Sequence, residues 1–286
     1  MSSDILIGSE SCVGCGHCVR VCPMHIFVQS PDSASVRTAH TETCFGCGHC
    51  VAVCPKDAIR HPLFPDGKVH PIDYASYPSP GQLMLLLKAR RSNRVFTDQP
   101  VPSETLSQIL EAAHRAPTAS NLQEVAFTVI TDPAKLKLVI EFTIGVFDRL
   151  AKRLEMPVLG PVLMRMNPIA RRYAPLFRRM VELYASGKDV VLRGAKAVIL
   201  IHAPTTNRFG GADANLAYQN ASLMAESLHL AHFYTGFVVS AAGEARGKLE
   251  KQLDIRGTIH AGMALGMSDL RYPNMVDRKD IRVSFL

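Results

Sequence analysis

The sequence predicts an α+β chain built from two unequal units. Three observations predict it. All eight cysteines fall in two copies of one motif near the beginning, GCGHCVRVCP at 14–23 and GCGHCVAVCP at 46–55, thirty-two positions apart. A stretch rich in proline follows. Beyond it, amphipathic helical patterns alternate with short runs of branched apolar residues, as in a central sheet flanked by helices.

At 286 residues and 47% hydrophobic content, the chain is long enough for one small and one medium domain, each with a core. It has no apolar run long enough to span a bilayer. The opening MSSDILIGSE lacks the basic stretch and apolar segment of a signal peptide, so a cytoplasmic location is expected. Four disulfides would call for a secreted context and cysteines spread through the fold, and neither is found.

Cys12, Cys15 and Cys18 are spaced C-x-x-C-x-x-C, with Cys22 three residues further on, just before Pro23; Cys44, Cys47, Cys50, Cys54 and Pro55 repeat the pattern. Three thiolates in a tight loop reach three irons of one cubane, while the fourth, displaced by the turn at proline, points to the other cluster. The pattern resembles bacterial two-cluster ferredoxins. That resemblance implies one [4Fe–4S] cluster on Cys12, Cys15, Cys18 and Cys54 and a second on Cys44, Cys47, Cys50 and Cys22. The competing reading, two four-cysteine zinc sites, expects separated C-x-x-C pairs, whereas each triplet here carries a third thiol too close for that. Gly14, Gly16, Gly46 and Gly48 let the loops fold tightly; His17 and His49 are expected as partly exposed loop residues.

Residues 61–81 hold five prolines and two glycines and read as an extended linker, assigned to 63–81 between a unit at 1–62 and another at 82–286. In the second unit, helices are expected from Leu83 to Ala89, from Ser103 to Arg115 and, deeply buried, from Ala214 to Phe233. Strands are expected at Val125–Thr131, Ala197–Ile201 and Thr258–Leu265. Neither G-x-G-x-x-G after a strand nor a Walker A motif occurs. Instead Arg90, Arg91, Ser92 and Arg94 crowd forked donors and a hydroxyl into five residues, a set that suits a phosphate monoester, although an arginine run can also be a solvated turn.

RRSNRVF at 90–96, APTASN at 116–121, the segment DANLAYQNASLMAESLHLAHFYTGF and the final SDLRYPNMVDRKDIRVSFL together resemble, in this order, the motifs of the nitroreductase superfamily of flavoproteins. The resemblance covers nearly all of residues 82–286, and its fused-ferredoxin members are the most similar type. It implies a nitroreductase-type α+β sandwich that binds FMN. Arg90, Ser92 and Arg94 would hold the phosphate and ribityl chain, with a further contact from Arg91. Pro117, Thr118, Ala119 and Asn121 would approach the ring and ribityl from the partner subunit of a homodimer. Ala242 and Gly243 would lie near the ring edge around its reactive nitrogen, and Arg278, with Lys279 close by, would return to the phosphate.

Residues 145–195 hold ten Lys or Arg and four Asp or Glu, so most of the net charge of +7 is local. Pro157, Pro161, Pro168 and Pro175 are expected to break this insert into short pieces, with Leu176, Met180, Leu183 and Tyr184 on an apolar face opposite Arg178 and Arg179. The leading use is a lid over the flavin pocket. Docking of an acidic carrier such as ferredoxin or flavodoxin, contact with anionic lipid, and a merely solubilising helix are the others. Nucleic-acid binding is not expected, because no recognition motif accompanies the charge.

The expected activity is passage of electrons from the two clusters to FMN and then, as hydride, to a small electrophile: a nitroaromatic, quinone or activated alkene. Two alternatives stay open: an NAD(P)H-dependent nitroreductase with the clusters as outlet, and a non-catalytic electron-transfer module for a partner protein. FMN would carry the chemistry, so no catalytic triad is assigned. His202, His229, His232 and His260 are expected to be packed or at the surface, and Tyr173 or Tyr184 is the candidate proton donor.

Overall fold

The computed structural model describes residues 5–30, 35–166 and 168–286. Residues 1–4, the first part of the segment read for a leader, lie outside the described residues. The chain divides into two compact units, Met1–Tyr77 with Ala119–Leu122, and Pro78–Thr118 with Gln123–Leu286.

In the first unit the elements run β1 (Leu6–Ile7), α1 (His17–Val21), β2 (Phe27–Gln29), β3 (Val36–Thr38), α2 (His49–Val53) and β4 (Ile59–Arg60). β1 pairs antiparallel with β4, and β2 with β3. The sequence repeat is also a conformational repeat. Gly14 and Gly46 sit at φ 65° and 68°, Gly16 and Gly48 at 68° and 76°, and His25 and Asp57 at 53° and 48°. Glycine enters this left-handed region without the steric cost a Cβ adds. At Gly48 the space is closed as well, since a Cβ there would stand 2.9 Å from the Phe64 ring. Ile26, Phe27, Val36, Val51 and Ile59 form the core together with Cys22 and Cys50.

The second unit opens with α3 (Pro80–Ala89), which starts inside the stretch expected as linker. A capping box starts it: Ser79 N–H donates to Gln82 Oε1 at 2.8 Å and Gln82 N–H to Ser79 Oγ at 3.2 Å, while Pro80 occupies a first-turn position whose missing N–H costs nothing. There follow α4 (Ser103–His114), β5 (Ala126–Ile130), α5 (Pro133–Glu155), α6 (Leu159–Met166), α7 (Pro168–Ala185), β6 (Ala197–Ala203), α8 (Gly210–Ser227), β7 (Ala231–Tyr234), α9 (Gly236–Ala245), α10 (Lys248–Gln252) and β8 (Thr258–Gly266).

The sheet order is β5-β6-β8-β7, antiparallel throughout. β6 is buried along its whole length, so both of its faces are covered. Val198 and Leu200 face the core that also holds Val139, Phe147 and Val238 from α5 and α9. Ile199 and Ile201 face the opposite core with Ile109 of α4 and the alanines of α8. This period of two places helices on both sides of one sheet. Ala214, Ala217, Ala221 and Ala225 are spaced along one face of α8, and their small side chains let that helix lie close to the strands.

Two expectations need correction. The helix foreseen from Ala214 to Phe233 ends at Ser227, and Ala231–Tyr234 is a strand paired with β8. His229, at φ 60°, ends the helix, with its N–H donating to Glu226 O and Leu230 N–H to Ala225 O. The prolines also break the insert less than expected. Pro161 and Pro168 lie in the first turns of α6 and α7, where helical N–H groups have no partner, and α7 continues through Pro175. The buried face of α7 contains Phe177, Met180, Val181 and Tyr184, while Leu176 of the expected face is exposed. Among the described residues no helix is long and apolar enough to cross a membrane.

Candidate functional site

Each unit contains a candidate centre. In the first, Cys12, Cys15 and Cys18 of the first motif line one cavity with Cys54 of the second, around about 360 Å³ of space, part of it open to solvent. Tight glycine turns bring the triplet round, and the extended backbone of Cys54 at the end of α2 carries the fourth thiol in. Cys44 and Cys47 are electrostatic neighbours of Cys50, and Cys22 is buried in the same small core. Among the described residues no three His, Cys, Asp or Glu side chains are grouped for a single metal ion. Four thiols around a shared space suit an inorganic cluster with a volume of its own.

Burial pushes the Cys50 thiol up to about 11, reinforced by Cys47 and Cys44 against the pull of the Val51 backbone N–H. Burial likewise raises Cys18, whose other neighbours include Cys12 and Cys54. To ligate a metal these thiols would have to be thiolates, the form that a neighbouring positive centre favours. Backbone donors already point at two sulfurs: Gly46 N–H at Cys44 Sγ, 3.4 Å, and Ala58 N–H at Cys54 Sγ, 3.2 Å. His17 and His49 are exposed at the first positions of α1 and α2, not in the loops. His61, which had been read with the proline-rich stretch, is 6% exposed and stands 3.6 Å from Cys44 Sγ. Nothing in the local sequence around His61 marks it.

The second centre is a large cavity around about 1410 Å³ of space, part of it open to solvent. Its walls come from separate elements: Phe147 of α5, Tyr173 and Phe177 of α7, Phe233 of β7 and Phe237 of α9. Phe147 stacks on Phe177 at 4.6 Å between ring centroids and meets Phe237 edge-on at 5.8 Å. The guanidinium of Arg94 lies 5.4 Å over the Phe233 ring, and Arg193 adds a second cation to the lining.

Arg90 and Arg94 both lie in the field of Tyr218, whose phenol burial pushes up to about 12 while the two arginines pull it down. Tyr218 meets Tyr234 edge-on at 4.7 Å, and Tyr234 donates its hydroxyl to His260 O at 3.2 Å. Arg91 donates its backbone N–H to the Glu226 carboxylate at 3.4 Å, and burial raises the pKa of that carboxyl against the pull of Arg91 and Arg90. Asn93 holds the start of the final segment, its Nδ2 donating to Ser268 Oγ and Leu270 O at 3.4 and 3.2 Å. Tyr218 and Phe233 were missed by sequence reasoning because each lies in the stretch expected as a buried helix; Thr235 was not singled out, although it lies near the end of a segment that carries the resemblance.

The other expected site residues do not line this cavity. Ala242, expected near the ring edge, is 1% exposed on α9 with its methyl in the core, because that helix buries one face; Gly243 beside it is exposed. Ala119 and Asn121 group with the first unit, and Asn121 Nδ2 donates to Gly46 O at 2.8 Å. Thr118 Oγ1 accepts from Gln123 N–H at 3.0 Å, and Pro117 precedes it. Arg278 and Lys279 are exposed in the irregular final segment. His202 is a structural residue between Thr128 Oγ1 and Arg256 O, at 3.1 and 3.2 Å. His232 is fully buried, and burial lowers its pKa against the pull of its bond to Leu230 O.

The aromatic walls and cations fit a planar heteroaromatic cofactor with an anionic tail. Thr235, also in the lining, has its hydroxyl buried with no partner among the described residues and makes no side-chain cap to α9. An unsatisfied hydroxyl of this kind costs stability, and an apolar group of the same shape does not.

Residues 87–267 match the model of the nitroreductase family, and residues 11–59 match that of the 4Fe-4S dicluster domain. A crystal structure of a nitroreductase with bound FMN from Bacteroides fragilis aligns at a TM-score of 0.52 and 20% identity, covering 71% of this chain and 99% of that one. A second, from Desulfitobacterium hafniense, aligns at 0.53 and 19% identity over 71% and 97%. Both show the same fold. An NADH dehydrogenase of Thermus thermophilus is 46% identical over 56 residues, 20% of this chain, and the chain spans only 27% of that relative's length. In flavin-free protein, Thr235→Val is expected to raise stability by about 1 kcal/mol; a lower denaturation midpoint would show that the hydroxyl has a partner after all.

Proposed function

Because the chain belongs to the nitroreductase family, we propose that it is an iron–sulfur flavoprotein oxidoreductase, with two [4Fe–4S] clusters and FMN in one polypeptide. The cavity in which Cys54 joins Cys12, Cys15 and Cys18 is the observation that carries this reading. It supports exchange of the fourth cysteine between motifs, with Cys44, Cys47, Cys50 and Cys22 as the second set. Bound FMN would convert single electrons from the clusters into a hydride for a nitroaromatic, quinone or activated alkene.

The chain's own residues would bind and orient. Arg90, Ser92 and Arg94 would hold the phosphate and ribityl chain, with Arg278 from the final segment as a further cation. The aromatic walls around Phe147, Phe177 and Phe237 would exclude water and suit a flat acceptor. Tyr173 and Phe177 of the basic insert line this cavity, which favours the lid over the other uses of the insert. The same observation separates the two tyrosines. Tyr173 lines the cavity and could move a proton at its hydroxyl, whereas Tyr184 donates to Glu141 Oε1 at 3.4 Å and packs against the core.

A homodimer completes the reading. α3 exposes Leu83, Met84, Leu85 and Leu87, an apolar surface of the kind a second copy covers. A nicotinamide as electron donor is the second reading, favoured by the name of the Thermus thermophilus relative.

Three outcomes are expected. Anaerobically purified Cys54→Ala should contain about half the wild-type iron and sulfide with flavin unchanged, by elemental and absorbance analysis; undiminished iron would refute the ligand set. Titrated without air, the wild-type flavin should be reduced by reduced ferredoxin through the clusters; rapid bleaching by NADH in protein stripped of its clusters would instead establish the nicotinamide reading. Light scattering should give twice the chain mass, and Leu83→Asp with Leu87→Asp should shift the protein to monomer; a wild-type monomer would exclude the dimer.

A further inference from the structure

We infer that His61 is a positioning residue that sets the reduction potential of the cluster held by Cys44 above that of its twin, by donating its Nε2–H to the Cys44 sulfur. The inference rests on the proposed ligand sets.

The ring's tautomer follows from its two contacts. Leu63 N–H, which can only donate, points at His61 Nδ1 at 3.2 Å. Nδ1 must therefore accept, and the neutral ring carries its proton on Nε2, the atom 3.6 Å from Cys44 Sγ. The ring is 6% exposed and packs against Phe64 at 5.0 Å between centroids. The main chain is pinned too, by Phe64 N–H donating to His61 O at 2.9 Å. A buried ring held on two sides presents its one donor to the sulfur.

The repeat supplies the contrast. Counting back thirty-two positions, the counterpart of His61 is Gln29, as Cys12 is that of Cys44 and Gly14 that of Gly46. Gln29 Nε2 donates to Gly14 O at 2.8 Å. In the second copy the matching carbonyl, Gly46 O, receives Asn121 Nδ2 instead, also at 2.8 Å. An amide from elsewhere in the chain thus does at Gly46 what position 29 does at Gly14, and position 61 is released to address the sulfur.

A one-electron reduction adds negative charge that spreads onto the cluster's sulfurs, and an N–H donor in a buried site favours the more negative state. The Cys44 centre should therefore be the more easily reduced of the two.

The test is a redox titration of the reconstituted full chain followed by electron paramagnetic resonance, with dithionite supplying, and losing, each electron that the clusters take up. Cys44→Ser marks the signal that belongs to the Cys44 centre; if it left both signals unchanged, the ligand assignment would fall and this inference with it. His61→Phe and His61→Leu, which lack the donor, should shift that signal's midpoint to lower potential and leave the other where it was. Unmoved midpoints with both clusters present, or a shift only in the other cluster, would overturn the proposal. Should neither variant assemble clusters, wild-type protein labelled with ¹⁵N-histidine decides: pulsed resonance should detect an imidazole nitrogen coupled to the Cys44 centre, and its absence would equally overturn the proposal.

Discussion

Burial of β6 on both faces is the constraint on which the larger unit depends. A strand buried at every position must be covered on both sides, here by helices, and the alternation of Val198 and Leu200 with Ile199 and Ile201 divides the interior into two cores. α8 meets one face through alanines. The other face is covered by α5 and α9, and the larger cavity lies among α5, α7, α9 and the end of β7. Its walls are thus the outer side of a core that has to exist for the sheet to exist. Phe147 in the cavity wall is held between Phe177 and Phe237, so part of the lining is set by packing of aromatic rings.

The smaller unit obeys a different constraint. Its core is slight, and its cysteines are part of that core, so the loops are shaped by left-handed glycines and backbone donors to sulfur more than by apolar burial. Duplication supplies two nearly equal half-sites, and the departures from symmetry are where the halves can acquire different properties. Gln29 and His61 are such a departure, and Asn121 compensates for it at the carbonyl the histidine leaves. Two chemically identical clusters in identical surroundings would have no preferred order of filling.

The α+β class, the central sheet and most helices were legible in the sequence because period-two and helical patterns are local records of which face is buried. The ends of elements were less legible. The run Ala231–Tyr234 continues an apolar helix pattern, and only pairing with β8 makes it a strand. Ala242 looked available to a cofactor until α9 turned its methyl inward. In the insert, proline was read as a breaker, whereas first-turn positions tolerate it and packing against α5 carries α7 past Pro175.

By itself the sequence determined the cysteine spacing, the repeat and the clustered arginines, since each is written in contiguous residues whose geometry is set by bond lengths and a few dihedrals. Only the tertiary structure decided which side chains wall the larger cavity and which donors approach the Cys44 and Cys54 sulfurs. Those contacts join positions far apart in the chain, and no local pattern records a neighbour that arrives through folding.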